Sequence, residues 1–268
     1  MLLTLVSLDD FFGRNMCLIS FQWQPLSDQP LMMVANRDEF HERPSTQSHW
    51  WPEHPHVLAG KDLEAGGTWM GVTKSGYFAA LTNVRQLPSH RQGQISRGHL
   101  VKDYLIAQED PQTYAEGIAD QAHLYDGFNL IIGNQRQCIF ISNRNQHTQP
   151  LALHAGIYGL SNASLDTPWP KTLYAKKQLE MHAQGQNMTM PLLNRRQTYP
   201  QVEQPDTGIG QPWETLLSAP FIVSPSYGTR ASSMLTIKQN HVEWIEQSFD
   251  HTGSLNHEVR ESFYIKSI

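Results

Sequence analysis

Cysteine is scarce in this chain: Cys17 and Cys138 are the only two in 268 residues. Two thiols cannot build a disulfide framework, and such usage fits a reducing compartment. Long apolar runs are also missing, and none approaches the roughly 20 residues that a membrane-spanning helix needs. The opening stretch, Met1 to Asp10, has a short apolar run that lacks a basic start and ends in Asp9 and Asp10. That is a poor secretory signal. Basic residues are neither abundant nor clustered: 20 Lys and Arg stand against 25 Asp and Glu, for a net charge of −5. A nucleic-acid partner, which needs a basic face, is therefore not expected. Gly66-Gly67-Thr68 has no following Gly-Lys and helix, so it is a tight turn into the strand at Trp69 rather than a phosphate loop. Repeats and low-complexity tracts are absent from the sequence. The expectation is a cytoplasmic protein with no transmembrane segment.

What is present is a chain with 39% apolar residues, enough for a substantial core. Short β-branched and aromatic runs bounded by turn formers predict strands at Cys17–Trp23, Leu31–Asn36, Thr68–Thr73, Tyr77–Thr82, Phe128–Ile132, Cys138–Ser142, Ala231–Lys238, His241–Phe249 and Glu258–Ile265. Helical spacing predicts Gly98–Gln108, with Leu100, Val101, Tyr104, Leu105 and Ala107 on its inner face. A second helix, Pro111–Ala119, follows Asp110 as N-cap. A third, Trp169–Met181, turns Thr172, Leu173, Ala175 and Leu179 inward. Tyr199–Trp213, rich in Pro, Gly and Gln, is expected to be a surface loop. Many strands and few helices predict an α+β layered domain with helices covering antiparallel sheets.

The residue with most chemical interest is Cys17, because it follows Met16. If Cys17 were the first residue, its thiol and a free α-amine would supply a nucleophile and its base together. The second cluster is Asn36-Arg37-Asp38-Glu39-Phe40, at the end of the second predicted strand. Pairing of that strand with the Cys17 strand would bring a guanidinium and a carboxylate near the thiol. A cation favours the thiolate, and a carboxylate can hold an ammonium. Each residue also has a plainer use. Cysteine is most often a core residue, and Cys138, within Gln137-Cys138-Ile139-Phe140-Ile141, is assigned to the core. A charged turn can be a solvated surface feature, and asparagines at strand ends cap turns. His49, His54 and His56 are assigned to a mobile aromatic loop rather than to a metal site, with Trp50, Trp51 and Phe40 available to line an apolar mouth.

Asn36-Arg37-Asp38-Glu39 resembles the naming motif of the NRDE family, which includes the transport-and-Golgi-organisation proteins. The resemblance continues through Gly60-Lys61-Asp62-Leu63, Gly66-Gly67-Thr68-Trp69-Met70-Gly71-Val72, Ala80-Leu81-Thr82-Asn83, Gly159-Leu160-Ser161-Asn162 and Tyr227-Gly228-Thr229-Arg230. The same layout is similar to the N-terminal-nucleophile hydrolases of the choloylglycine hydrolase and penicillin V acylase branch. That resemblance implies a four-layered αββα sandwich with the nucleophile at the start of a central strand. Residue by residue, it implies Cys17 as nucleophile, Asp38 as the carboxylate contacting its amine, and Asn83 and Asn162 around the oxyanion. It implies a catalytic role for Arg37 as well, although the hydrolases space their arginine and aspartate more widely than this adjacent pair. Arg230, Trp69 and Phe40 complete the candidate site as substrate contacts, Arg230 by binding a substrate carboxylate or pairing with Asp38.

Two functions follow from the resemblance. One is a cysteine amidohydrolase or acyl-transfer enzyme acting on a small amide or thioester. The other is a carrier on the same fold, because family members are linked to haem mobilisation and to acyl-CoA or lipid homeostasis. Cofactors are not implied; haem enters as cargo. Because the family resemblance begins at Met16-Cys17, residues 1–16 are expected to be an over-called start or a removable leader, and residues 17–268 a single domain.

Overall fold

The computed structural model describes residues 16–85, 93–144, 149–186 and 189–266, so the expectation for the leader falls almost wholly outside the described residues. Strands are numbered along the chain. One antiparallel sheet is built from β1 (Met16–Trp23), β2 (Leu31–Phe40), β10 (Gly156–Leu160), β11 (Tyr227–Ile237), β12 (His241–Phe249) and β13 (Leu255–Tyr264), in the order β10-β1-β2-β11-β12-β13. The other runs in sequence order through β3 (Ser45–Trp51), β4 (His54–Asp62), β5 (Met70–Thr73), β6 (Phe78–Asn83), β7 (Phe128–Gly133), β8 (Cys138–Ser142) and β9 (Leu151–Ala152). The helices are α1 (Gly98–Ala107), α2 (Pro111–Gln121), α3 (Pro170–Ala183) and the short α4 (Gln211–Leu216).

The two-residue period of a strand sorts the chain into layers. Cys17, Ile19, Phe21 and Trp23 of β1, with Met33 and Ala35 of β2, face Met70, Val72, Phe78, Ala80, Cys138 and Phe140 of the second sheet. The intervening residues of the second sheet, such as Ala79, Leu81, Leu130 and Ile132, turn the other way. They pack on Leu100, Val101, Tyr104 and Leu105 of α1 and on Ala115 and Ile118 of α2. On the far face of the first sheet, Leu18, Met32 and Val34 lie under Ala175 and Leu179 of α3. Helix, sheet, sheet, helix: the four-layered αββα arrangement is what the resemblance implied. Asp110 caps α2 by accepting from the backbone of Gln112 and Thr113, with Pro111 in the first turn.

Several expectations need correction. The segment carrying His49, Trp50, Trp51, His54 and His56 is not a loop but the β3–β4 hairpin. Pro55 is compatible with it because the β3–β4 register shifts between Trp50 and Trp51, and β5 pairs only Val57–Ala59 of β4. No ladder hydrogen bond is asked of the proline there. Trp51 is buried against the helical layer with its indole N–H donating to Ala59, and Trp50 packs on Phe263 at 4.9 Å; neither lines a mouth. β2 runs four residues past its expected end, to Phe40, because β11 pairs with its last residues: Thr229 opposite Asp38, Gly228 opposite Glu39 and Tyr227 opposite Phe40. In α3 the inward residues are Lys171, Thr172, Ala175 and Leu179, while Leu173 is exposed. The expected surface loop at Tyr199–Trp213 contains a short 3-10 turn, Gln201–Glu203, and the start of α4.

Candidate active site

β1 and β2 pair so that Cys17 lies opposite Arg37, and Met16 opposite Asp38. The side chains therefore divide between two faces of one sheet. Cys17 and Arg37 project between the sheets, whereas Met16 and Asp38 project toward α3 and α4. Met16 is buried among Ile209, Leu217, Ala219, Ile222 and Tyr227, and its backbone N–H donates to the Tyr227 hydroxyl at 3.2 Å. The Thr229 hydroxyl donates to Asp38 Oδ1 at 2.6 Å while accepting from the Ile222 backbone N–H. Arg230 is the extra residue where the β2–β11 register shifts, and the resulting bulge re-aims its side chain.

Burial raises the pKa of the Cys17 thiol, and the charge of Asp38 raises it further. Arg37 and the Asp38 backbone N–H work in the opposite direction. Burial also raises Asp38, against Lys171, the Thr229 hydrogen bond, Arg37 and Arg85. Glu39 is raised by burial as well. It sits 3.6 Å from the Arg37 guanidinium and 3.7 Å from that of Arg43, and Arg43 in turn reaches Asp62 at 2.8 Å. A thiol in this state, with its amine inside a peptide bond, is a poor nucleophile.

Asn83 at the end of β6 and Asn162 just past β10 are joined directly. The Asn162 side-chain amide donates to the Asn83 carbonyl at 3.0 Å, and the Asn162 carbonyl accepts from the Arg85 backbone at 2.7 Å. Ser161 donates to the Cys17 carbonyl at 3.2 Å, and Thr82 donates to the Ser161 carbonyl at 2.6 Å. These bonds pin the ends of the two sheets together beside Cys17. The structure thus gathers Cys17, Arg37, Asp38, Asn83 and Asn162 at one end of the sandwich.

A cavity of about 400 Å³ opens on the inter-sheet side, with Arg37, Trp69, Arg97, Asp126, Arg230 and Glu246 among its lining residues. Its floor uses two close-packed glycines: a Cβ on Gly67 would lie 2.5 Å from the backbone of Gly98 at the start of α1. Trp69 and Arg230 stand at its wall. Arg230 does not pair with Asp38, however; one guanidinium nitrogen donates to the carbonyls of Phe40, His41 and Arg43, fixing the turn after β2. Phe40 is not a lining residue, because it projects to the other face and packs edge-on against Tyr227 at 5.1 Å. Cys17 itself is 1% exposed and does not line the cavity, although Arg37 opposite it does.

Sequence reasoning missed the charges buried on the other face. Lys171, Arg85 and Glu214 cluster near Asp38, with Arg85 and Glu214 paired at 2.8 Å. A narrow cleft beside them is lined by Arg85, Trp169, Lys171, Tyr199 and Leu217. The spacing of 171, 175 and 179, one helical stripe, was the available signal for Lys171. It also missed Arg97, whose pKa burial pushes down to about 10 against the opposing pull of Asp126, Glu39 and Cys17. Among the described residues, no group of three or more His, Cys, Asp or Glu is arranged to hold a metal ion. No helix among them is long and apolar enough to cross a membrane.

A family model described as Transport and Golgi organisation 2 matches residues 16–251. The mouse and human Transport and Golgi organization 2 homologs are each 33% identical over 259 residues, which cover 87% of this chain and 93% of theirs. The Drosophila melanogaster protein of the same description is 26% identical over 264 residues, 87% of this chain and 92% of that one. Among solved structures, the chain is similar to a Caenorhabditis elegans N-acylethanolamine-hydrolyzing acid amidase ortholog. The identity is 12% and the TM-score 0.44, over 81% of this chain and 92% of that chain. A likeness at that level assigns no residue role.

Proposed function

The chain belongs to the Transport and Golgi organisation 2 family, and from that premise we propose that it is a cysteine amidohydrolase or acyl-transfer enzyme, active once Cys17 carries a free α-amine. The observation that carries this reading is the pairing of Cys17 with Arg37 beside a buried Asp38, at the sheet end that also holds Asn83 and Asn162. The match to the family also begins at Met16.

The chemistry follows from ordinary acidities. A free thiol near pKa 8.5 and an α-amine near 8 exchange a proton readily; burial lifts Cys17 above that value, and Arg37 opposes the rise. The neutral amine takes the Sγ proton, and the thiolate adds to the carbonyl carbon of a small amide or thioester. The carbonyl π pair moves onto oxygen, where amide donors such as those of Asn83 and Asn162 stabilise it; one such donor is worth about 3 kcal/mol elsewhere. Collapse breaks the bond to the leaving group, which departs with the proton held by the amine. Water then adds to the acyl-thioester, giving its proton to the amine, and the acid leaves as Sγ is reprotonated. Arg37 favours the thiolate, and Asp38 orients the amine. Trp69 and Arg230 shape the cavity wall. We place the enzyme in the cytoplasm.

A second reading is favoured by the cavity itself: a space of about 400 Å³ walled by Trp69, Arg37 and Arg230 exists without a contribution from the thiol. In that reading the protein carries haem or an acyl-CoA or other lipid, and Cys17 is a core residue. The decisive experiment compares protein whose first residue is Cys17, verified by intact mass, with protein retaining Met16. The enzyme reading expects an electrophilic amide or ester probe to acylate only the former. Absence of labelling in both, with equal binding of haem or acyl-CoA, would leave the carrier.

A further inference from the structure

Helix α3 turns a lysine into the protein on the stripe that also carries Thr172, Ala175 and Leu179. Lys171 is 2% exposed, and its Nζ has no hydrogen-bond partner among the described residues. The same is true of Oδ2 of Asp38, a fully buried residue on the strand that α3 covers. An isolated buried ammonium and a half-satisfied buried carboxylate are each costly. They lie within electrostatic reach of each other and of Cys17. Asp38 is also the register partner of Met16, the residue whose removal would expose the Cys17 amine.

The charges facing this point can be named element by element. From α3 comes Lys171, from the chain after β6 Arg85, from α4 Glu214, and from β2 Asp38. β11 contributes the hydroxyls of Tyr227 and Thr229, the first accepting from the Met16 N–H and the second donating to Asp38. From the inter-sheet side, Arg37, Glu39 and Arg97 reach Cys17. On the α3 side, with the Met16–Cys17 peptide bond intact, two cations (Lys171 and Arg85) balance two carboxylates (Asp38 and Glu214). Freeing the amine would add a third cation with no third carboxylate. In a buried site one proton must then leave. Arg85 keeps its own, since a guanidinium is not deprotonated in proteins. Of the remaining two, burial and Arg85 already bring Lys171 down to about 7. An α-amine set among the same charges would start lower still, from an ordinary value near 8 against about 10.4 for lysine.

We propose that Lys171 is a positioning residue that keeps the freed α-amine of Cys17 uncharged at neutral pH, by competing for Asp38 and repelling a second ammonium. The inference rests on the reading that Cys17 acts with a free amine, and it answers a difficulty within that reading. A buried carboxylate beside an α-amine would by itself hold the amine as ammonium, which cannot take the thiol proton. Lys171 offsets the charge of the carboxylate without a direct hydrogen bond to it, and so leaves the amine its lone pair. Burial and then Arg85 lower the lysine's own pKa, and Asp38 opposes them.

The test uses full chain from Cys17 onward with ¹⁵N-labelled cysteine, and follows the pH titration of the amino-terminal nitrogen by NMR. In the unsubstituted protein the amine is expected to titrate below its ordinary value. Lys171→Met should raise that midpoint by about one pH unit or more, whereas Lys171→Arg, which keeps the charge, should leave it low. Lys171→Gln carries the same expectation as Lys171→Met should the latter not fold. A folded Lys171→Met or Lys171→Gln protein whose amine titrates like the unsubstituted one overturns the proposal. The readout needs no turnover, so absence of probe acylation with the expected titration would sink the enzyme reading and leave the role of Lys171 standing.

Discussion

Two cysteines occupy the same layer of this molecule, one at each kind of environment that layer offers. Cys17 and Cys138 are both buried strand residues between the sheets, 1% and 2% exposed, and burial raises both thiols. For Cys138 burial is the sole resolved cause. For Cys17 the charges of Asp38, Arg37 and Glu39 act as well. A buried sulfur is therefore no mark of a site, since burial is the residue's commonest state. What sets one end of the first sheet apart is the number of ionised side chains taken out of water on its two faces there, each of which costs free energy unless paired. A fold that keeps Asp38, Glu39, Arg37, Arg85, Lys171 and Glu214 inside at one end gives up stability there. Catalysis or binding is the usual return for that cost.

The hardest test of this contrast removes one sulfur at a time from protein that begins at Cys17. Cys17→Ala should reduce acylation by an amide or ester probe to the uncatalysed level, while Cys138→Ala should leave it within about twofold, as for changes remote from a site. Labelling that survives Cys17→Ala would dissolve the distinction. Next in size is Asp38→Asn. It keeps the shape and an acceptor for Thr229 but loses the charge proposed to orient the amine, and is expected to slow acylation by about 10²-fold or more. A change of less than about threefold in single-turnover labelling would show that Asp38 is only a buried structural carboxylate.

Stability should reverse the ranking. Cys138→Ser buries a hydroxyl among apolar neighbours and should cost about 1–3 kcal/mol. Cys17→Ser should cost less, because the Asp38 backbone N–H already approaches this position and Arg37 lies opposite. Denaturant melts of the two variants measure the difference; equal losses would mean that the polar surroundings of Cys17 do not reach its side chain.

How far the sequence foretold this contrast differs between the two faces of β2. The strand cores were legible, since β-branched and aromatic runs such as Phe128–Gly133 and Cys138–Ser142 have only one stable use. The cluster of Cys17, Arg37, Asp38, Asn83 and Asn162 was legible through ordered motifs, not through any single spacing. Lys171, Arg85 and Glu214 were not, because a charged residue is assigned to the surface by default and only tertiary packing turns these inward. The β3–β4 hairpin was missed for a related reason. Pro52 and Pro55 argue locally for a loop, and only the register shift on β3 and the short pairing on β5 show how a strand accommodates the second. Phe40 was misplaced because its expected strand ended four residues early, so the face on which it projects could not be counted.

The smallest effect concerns a charge on the cavity side. Glu246 of β12 is buried and accepts from the Ser48 backbone N–H at 2.7 Å, the Ser48 hydroxyl at 2.7 Å and the Ser233 hydroxyl at 3.3 Å. Burial raises its pKa; those hydrogen bonds and then Arg37 oppose the rise without cancelling it. A carboxyl whose folded pKa lies above its unfolded value holds its proton more tightly in the folded state. Its contribution thus favours folding below the unfolded pKa and is lost as pH rises through the folded one. Glu246→Gln keeps the size, a carbonyl acceptor and no charge. The variant should therefore gain on the parent as pH rises above the ordinary glutamate range of about 4.3, with the gap closing in acid. Urea melts across that range measure the slope. A gap independent of pH would mean that Arg37 and the serines fully compensate the burial, and the cavity end would then hold this charge at no cost to stability.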